Sequence, residues 1–119
     1  MLEKVELNLL IDYYGAFLTE TQREVLALCC EEDLSLSEIA ELRGISRQGA
    51  RDAIARGERT LVEMESRLGL VERDKRALAL INRLKARLQA TLPHGGAEEN
   101  EPICLLTELS NIMEGKDGV

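Results

Sequence analysis

The sequence predicts an all-α protein, and three observations carry that prediction. Aromatic residues make up 3% of the chain, while Leu, Ala, Ile and charged residues recur at three- and four-residue spacings. Ser or Thr stands directly before three of these periodic runs, at Thr19, Ser35 and Ser46, where its side chain can accept from a first-turn amide. Gly44 and Gly69 fall where helices should stop. With 119 residues the chain is about one domain with one modest core, helped by a partner surface.

From the N-terminus, Val5, Leu9, Leu10, Tyr13 and Phe17 outline a first helix that ends near Gly15. Thr19, with Gln22 three residues on, forms a capping box. The helix it starts presents Val25, Leu26, Leu28 and Cys29 on one face and fades in the acidic stretch from Glu31 to Asp33. Ser35 and Glu38 repeat the box before a helix of about two turns, whose apolar face is Leu36, Ile39, Ala40 and Leu42. Arg43-Gly44-Ile45 is then a turn, with Gly44 free to take positive φ. Ser46 caps the next helix. Ala50, Ile54 and Leu61 form its inner stripe with Gly57 between them, so Gln48, Arg51, Asp52, Ala55, Arg56 and Arg59 point outward.

That helix continues through Val62, Met64 and Leu68 to Gly69. A long helix follows from about Val71 to Gln89, with Ala77, Leu80, Ile81, Leu84 and Leu88 as its apolar edge. Pro93 to Pro102 has no periodicity and reads as a linker. Ile103, Leu106, Leu109 and Met113 make a short amphipathic tail helix, too short to be stable without a surface to lie against. The organisation expected is residues 1–69 as a helix-turn-helix domain, 70–92 as a long basic amphipathic helix, and 93–119 as an acidic linker with a short tail helix.

Several function classes are disfavoured. Glu3, Lys4, Glu6 and Asp12 interrupt the N-terminal apolar residues, which excludes a signal-peptide core, and no apolar run approaches spanning length. A cytoplasmic protein without membrane contact is expected. Cys29, Cys30 and Cys104 form no CxxC pair, and the only histidine, His94, is far from them in sequence, so no metal site is expected. No Ser/His/Asp set, nucleophile motif or Gly-rich phosphate loop occurs. The reading is a non-enzyme with no cofactor and no small-molecule substrate.

A short helix, a small residue facing its neighbour, a glycine turn and a capped second helix are the parts of a helix-turn-helix, and Ala40, Gly44 and Ser46 supply them in order. Arg47 and Gln48 at the tip are residue types that reach phosphates and purine edges. The stretch LTETQREVLALCCEEDLSLSEIAELRGISRQGARDAI is similar to sigma-factor region 4. With NLLIDYYGAFLT in front, and above all Tyr13-Tyr14-Gly15 running into Leu18-Thr19, it resembles the YlxM family of small bacterial helix-turn-helix proteins from Asn8 to about Leu70. The resemblance implies an all-helical DNA-binding regulator, encoded beside signal-recognition-particle genes and on that ground connected with that pathway. The sequence departs from the family pattern at Gly49, Ala50 and Arg51, and at Cys29-Cys30, where aromatic residues are expected. Gly49 and Gly57 each lower helix propensity by about 1 kcal/mol relative to Ala, which should loosen the recognition helix.

A net charge of −7 argues against nucleic acid until its distribution is read. Met1 to Leu42 carries ten carboxylates against Lys4 and Arg23. Arg43 to Arg59 holds five arginines against Asp52 and Glu58, and Arg73 to Leu92 holds six cations against Asp74. Screening over about 8 Å lets a local basic face attract phosphate despite a distant acidic one. The expected DNA-binding set is Arg47, Gln48, Arg51, Asp52, Arg56 and Arg59, with Asp52 weakening bare-duplex affinity. The alternative is a non-catalytic adaptor that binds signal-recognition-particle RNA or protein, where phosphate and shape contacts suffice. The two apolar edges after Gly69 exceed what a small head can cover, so a homodimer joined through the long helix is expected, with Glu98, Glu99 and Glu101 near its basic residues.

Overall fold

The computed structural model of the chain describes residues 2–91 and 101–115, which form six α-helices and no strand. α1 (Lys4–Tyr14) runs into a 3-10 turn (Gly15–Phe17), and α2 (Glu20–Cys30), α3 (Leu36–Arg43), α4 (Arg47–Leu68), α5 (Leu70–Thr91) and α6 (Glu101–Met113) follow. The chain divides into two compact units, Met1–Val71 and Glu72–Val119.

The starts of α2, α3 and α4 are set by local chemistry. Thr19 Oγ1 accepts from the Gln22 amide at 3.1 Å, and Gln22 Oε1 accepts from the Thr19 amide at 3.2 Å. Ser35 and Glu38 make the same reciprocal pair at 3.2 and 3.1 Å, each box satisfying two amides that have no intrahelical partner. The amide and hydroxyl of Ser35 hold the Glu38 carboxyl below its ordinary range. α3 ends at Gly44, whose φ of 67° lies in the left-handed region where a Cβ is penalised. The turn reverses the chain in three residues before Ser46 starts α4.

In the first unit α4 packs against α1, α2 and α3. Its inner stripe of Ala50, Ile54, Gly57 and Leu61 meets Val25, Leu26 and Cys30 of α2, Ile39 of α3, and Leu7, Leu10 and Tyr14 of α1, all buried. Burying such a cluster supplies the main favourable term of folding. Arg43, at the end of α3, pairs with Glu24 of α2, and Lys4 pairs with Asp33.

The structure corrects the apolar registers of α1 and α3. In α1 the buried set is Leu7, Leu10 and Tyr14, continued by Leu18, whereas Val5 and Phe17 are exposed. The 3-10 turn shifts the phase after Tyr14, so Phe17 swings outward and Leu18 inward. Leu42 of α3 is also exposed, as are Val62 and Leu68 of α4, while Met64 packs against the core. Gly57 is a buried packing position: a Cβ there would stand 2.6 Å from Leu26 Cδ1, so its missing side chain is what lets α2 approach. Pro102, read as linker, is the second residue of α6, a first-turn position that a proline tolerates.

In the second unit, Ile81 and Asp74 of α5 are buried while Leu80 and Leu84 are exposed. In α6, Ile103, Leu106 and Met113 are half-buried, and Leu109 is exposed. Residues 93–100 of the expected linker, with Glu98 and Glu99, lie outside the described residues.

Candidate nucleic-acid interface

The turn between α3 and α4 places the start of a 22-residue helix at the surface of the head. Ser46 Oγ accepts from the Gly49 amide at 2.9 Å and so fixes the first turn. A Cβ at Gly49 would press on that same hydroxyl at 3.1 Å, so glycine at this position leaves room for the cap. The positive end of the α4 dipole lies here, beside the Arg47 guanidinium, and both attract anions.

Arg47, Gln48, Arg51, Asp52, Arg56 and Arg59 are all exposed. At about 100° per residue they span roughly half the helix circumference, and the other half is the stripe sunk in the core. The helix can therefore present them together without disturbing its seat. No ion pair engages Arg47, Arg51, Arg56 or Arg59 among the described residues. Arg43 is different: its guanidinium is tied to Glu24, so the cationic face begins at Arg47.

Asp52 is accounted for by a neighbour. Gln48 Nε2 donates to Asp52 Oδ1 at 3.0 Å, one turn apart along α4. The pair holds the Gln48 amide and the carboxylate side by side on the outward face. Gln48 must leave Asp52, or share it, to meet a base edge.

A second constellation has no counterpart in the sequence reading. Tyr14, buried between α1 and the junction of α4 with α5, donates from Oη to Glu65 Oε1 at 2.6 Å and accepts from the Leu70 amide at 3.1 Å. The same Glu65 oxygen accepts from the Val71 amide at 3.1 Å. α5 starts immediately after Gly69 and has no side-chain cap of its own, so these two groups satisfy its first amides. Burial, and then the bond to Glu65, push the Tyr14 phenol above its ordinary range. Local sequence signals cannot find such a bridge, because its donor and acceptor are 51 residues apart.

Elsewhere the chemistry is quiet. Burial, with Cys29 beside it, pushes the Cys30 thiol up to about 11, which keeps it protonated and unreactive at neutral pH. Among the described residues no group of three or more His, Cys, Asp or Glu is placed to hold a metal ion. No described helix is long and apolar enough to cross a membrane.

A family model described as "Putative helix-turn-helix protein, YlxM / p13 like" matches residues 1–94. Several similar relatives are named UPF0122 protein. One from Clostridium botulinum is 46% identical over 76 residues, covering 64% of this chain and 70% of its own. One from Desulforamulus reducens is 41% identical over 99 residues, covering 80% and 85%. A third, from Acetivibrio thermocellus, is 46% identical over 85 residues, covering 68% and 73%.

Proposed function

The chain belongs to the YlxM/p13-like helix-turn-helix family, and from that premise we propose that it is a DNA-binding regulator that lays the N-terminal half of α4 in the major groove. The observation that carries this reading is the single exposed face bearing Arg47, Gln48, Arg51, Arg56 and Arg59 on a helix anchored by its opposite side. Arg51 and Gln48 stand for base readout, since guanidinium suits guanine O6 and N7 and the amide suits adenine. Arg47, Arg56 and Arg59 stand for phosphate. Residues 1–69 are the reading head in this proposal, 70–92 a basic helix and 93–119 an acidic tail. Two copies present two recognition helices to half-sites about one helical turn apart. The protein acts in the cytoplasm without a cofactor, and its regulatory target lies in the signal-recognition-particle pathway.

One further observation favours a second reading. From Lys75 to Thr91, α5 carries five cations and no carboxylate, a face suited to the phosphates of duplex RNA. In that reading the chain is a non-catalytic adaptor on signal-recognition-particle RNA.

Binding of the pure protein to a duplex DNA library and to signal-recognition-particle RNA, each at two salt concentrations, separates the two. With DNA, Arg51→Ala should weaken the preferred site by about 1–3 kcal/mol and relax selection at one position. Arg59→Ala should weaken every sequence alike and reduce the salt slope by about 1. Tight RNA binding that survives both substitutions moves the interface to α5 and overturns the DNA reading.

A further inference from the structure

α6 is apolar on two sides. Ser110 is buried and Ile103, Leu106 and Met113 are half-buried on one of them. On the other, Leu105, Leu109 and Ile112 follow the i, i+4, i+7 spacing of a single face and are 56%, 45% and 56% exposed. At about 100° per residue, Glu101 and Glu108 border this outer stripe along one side, and α6 contains no Lys or Arg.

α5 offers the opposite pattern. Leu80 and Leu84 are 61% and 51% exposed, and Arg76, Arg83 and Arg87 share their half of the helix. Asp74 is buried and accepts from Arg73 at 3.2 and 3.3 Å, and no carboxylate follows it in α5.

We infer that the outer stripe of α6 is an interaction surface for a second copy of this chain, seated on the exposed leucine edge of the partner's α5 and repeated across a two-fold axis. Charge decides the pairing. α6 against α6 brings Glu101 and Glu108 toward their own copies, and α5 against α5 brings guanidinium toward guanidinium. Only α5 against α6 joins opposite signs around an apolar centre, and the two-fold axis makes that contact twice, closing the assembly. Like-charge juxtaposition disfavours the other registers. This inference rests on the dimeric part of the reading above and not on DNA readout.

Sedimentation equilibrium of the full chain at micromolar concentration tests it, with circular dichroism to verify helix content. The wild type should be a dimer that weakens with salt. Two double variants, Glu101→Lys with Glu108→Lys and Arg83→Glu with Arg87→Glu, should each weaken self-association at least about tenfold. Mixed, they should form a heterodimer, because the basic α6 of one then meets the acidic α5 of the other, and the two native helices pair at the second contact. A monomeric wild type overturns both this surface and the dimer. A dimer unmoved by either variant overturns the surface alone, and so does a mixture that stays monomeric.

Discussion

Gly57→Val should destabilise the protein by about 2–3 kcal/mol in chemical denaturation, the upper part of the range for overpacked cores. A Cβ at position 57 stands 2.6 Å from Leu26 Cδ1 and 3.5 Å from both Leu26 Cγ and Gln22 Cβ. Leu26 cannot swing toward solvent without leaving the core cluster, since its side chain is fully buried. The substitution therefore pries α2 from α4 or distorts Leu26. Gly57→Ala carries the same Cβ 2.6 Å from Leu26 Cδ1, but it lacks the two further methyls of valine and restores about 1 kcal/mol of helix propensity, so it should cost less than Gly57→Val. Leu26→Ala alone should cost about 2–5 kcal/mol through the cavity it leaves. Combined with Gly57→Val it should cost less than the sum, because the valine fills part of that cavity. Gly57→Val within about 0.5 kcal/mol of wild type, the size of an ordinary surface change, would show that α2 does not depend on this close approach. If α2 positions the reading face, DNA affinity should fall with the stability of the seat while the site preference stays the same.

What the sequence shows directly is what neighbouring residues decide. The caps at Thr19, Ser35 and Ser46 and the left-handed stop at Gly44 each depend on groups within a few positions of each other, and each forms where the pattern places it. The outward set on α4 is readable for the same reason, since one inner stripe leaves only one outer half. The registers of α1 and α6 are harder because apolar residues surround both helices. In α1 the spacings from Val5 and from Leu7 are equally periodic, and a 3-10 turn beyond Tyr14 decides which stripe continues inward. In α6 both Ile103-Leu106-Met113 and Leu105-Leu109-Ile112 satisfy a helical period, so the sequence mixes members of the two. Gly57 reads as a defect in propensity until Leu26 is seen against it. The contact that gives Gly57 its purpose joins elements about 30 residues apart, and no local rule contains it.

The same limit hides the role of Tyr14, and Tyr14→Phe should remove about 2–3 kcal/mol at neutral pH, on the scale of hydrogen bonds to charged groups. The substitution keeps the buried ring and deletes only the hydroxyl, so little packing changes. It deprives the Glu65 carboxylate of a donor at 2.6 Å and leaves the Leu70 amide without its acceptor at the start of α5. Unmet groups of this kind cost most where water is excluded, and Tyr14 is 1% exposed. The alkaline limb gives an independent readout. Burial disfavours the phenolate and Glu65 accepts only from the protonated hydroxyl, so the folded state raises the Tyr14 value above the ordinary one near 10. A raised value means that folding favours the protonated form. Its contribution is fully present below about pH 10 and is lost as pH rises through the folded value. Wild-type stability should therefore fall more steeply than that of Tyr14→Phe above pH 10, and the two curves should converge there. Glu65→Gln keeps an acceptor for the Val71 amide but removes the charge that opposes ionisation, so it should lie between them. Parallel curves for wild type and Tyr14→Phe across the alkaline range would mean that the bridge does not hold the α4–α5 junction.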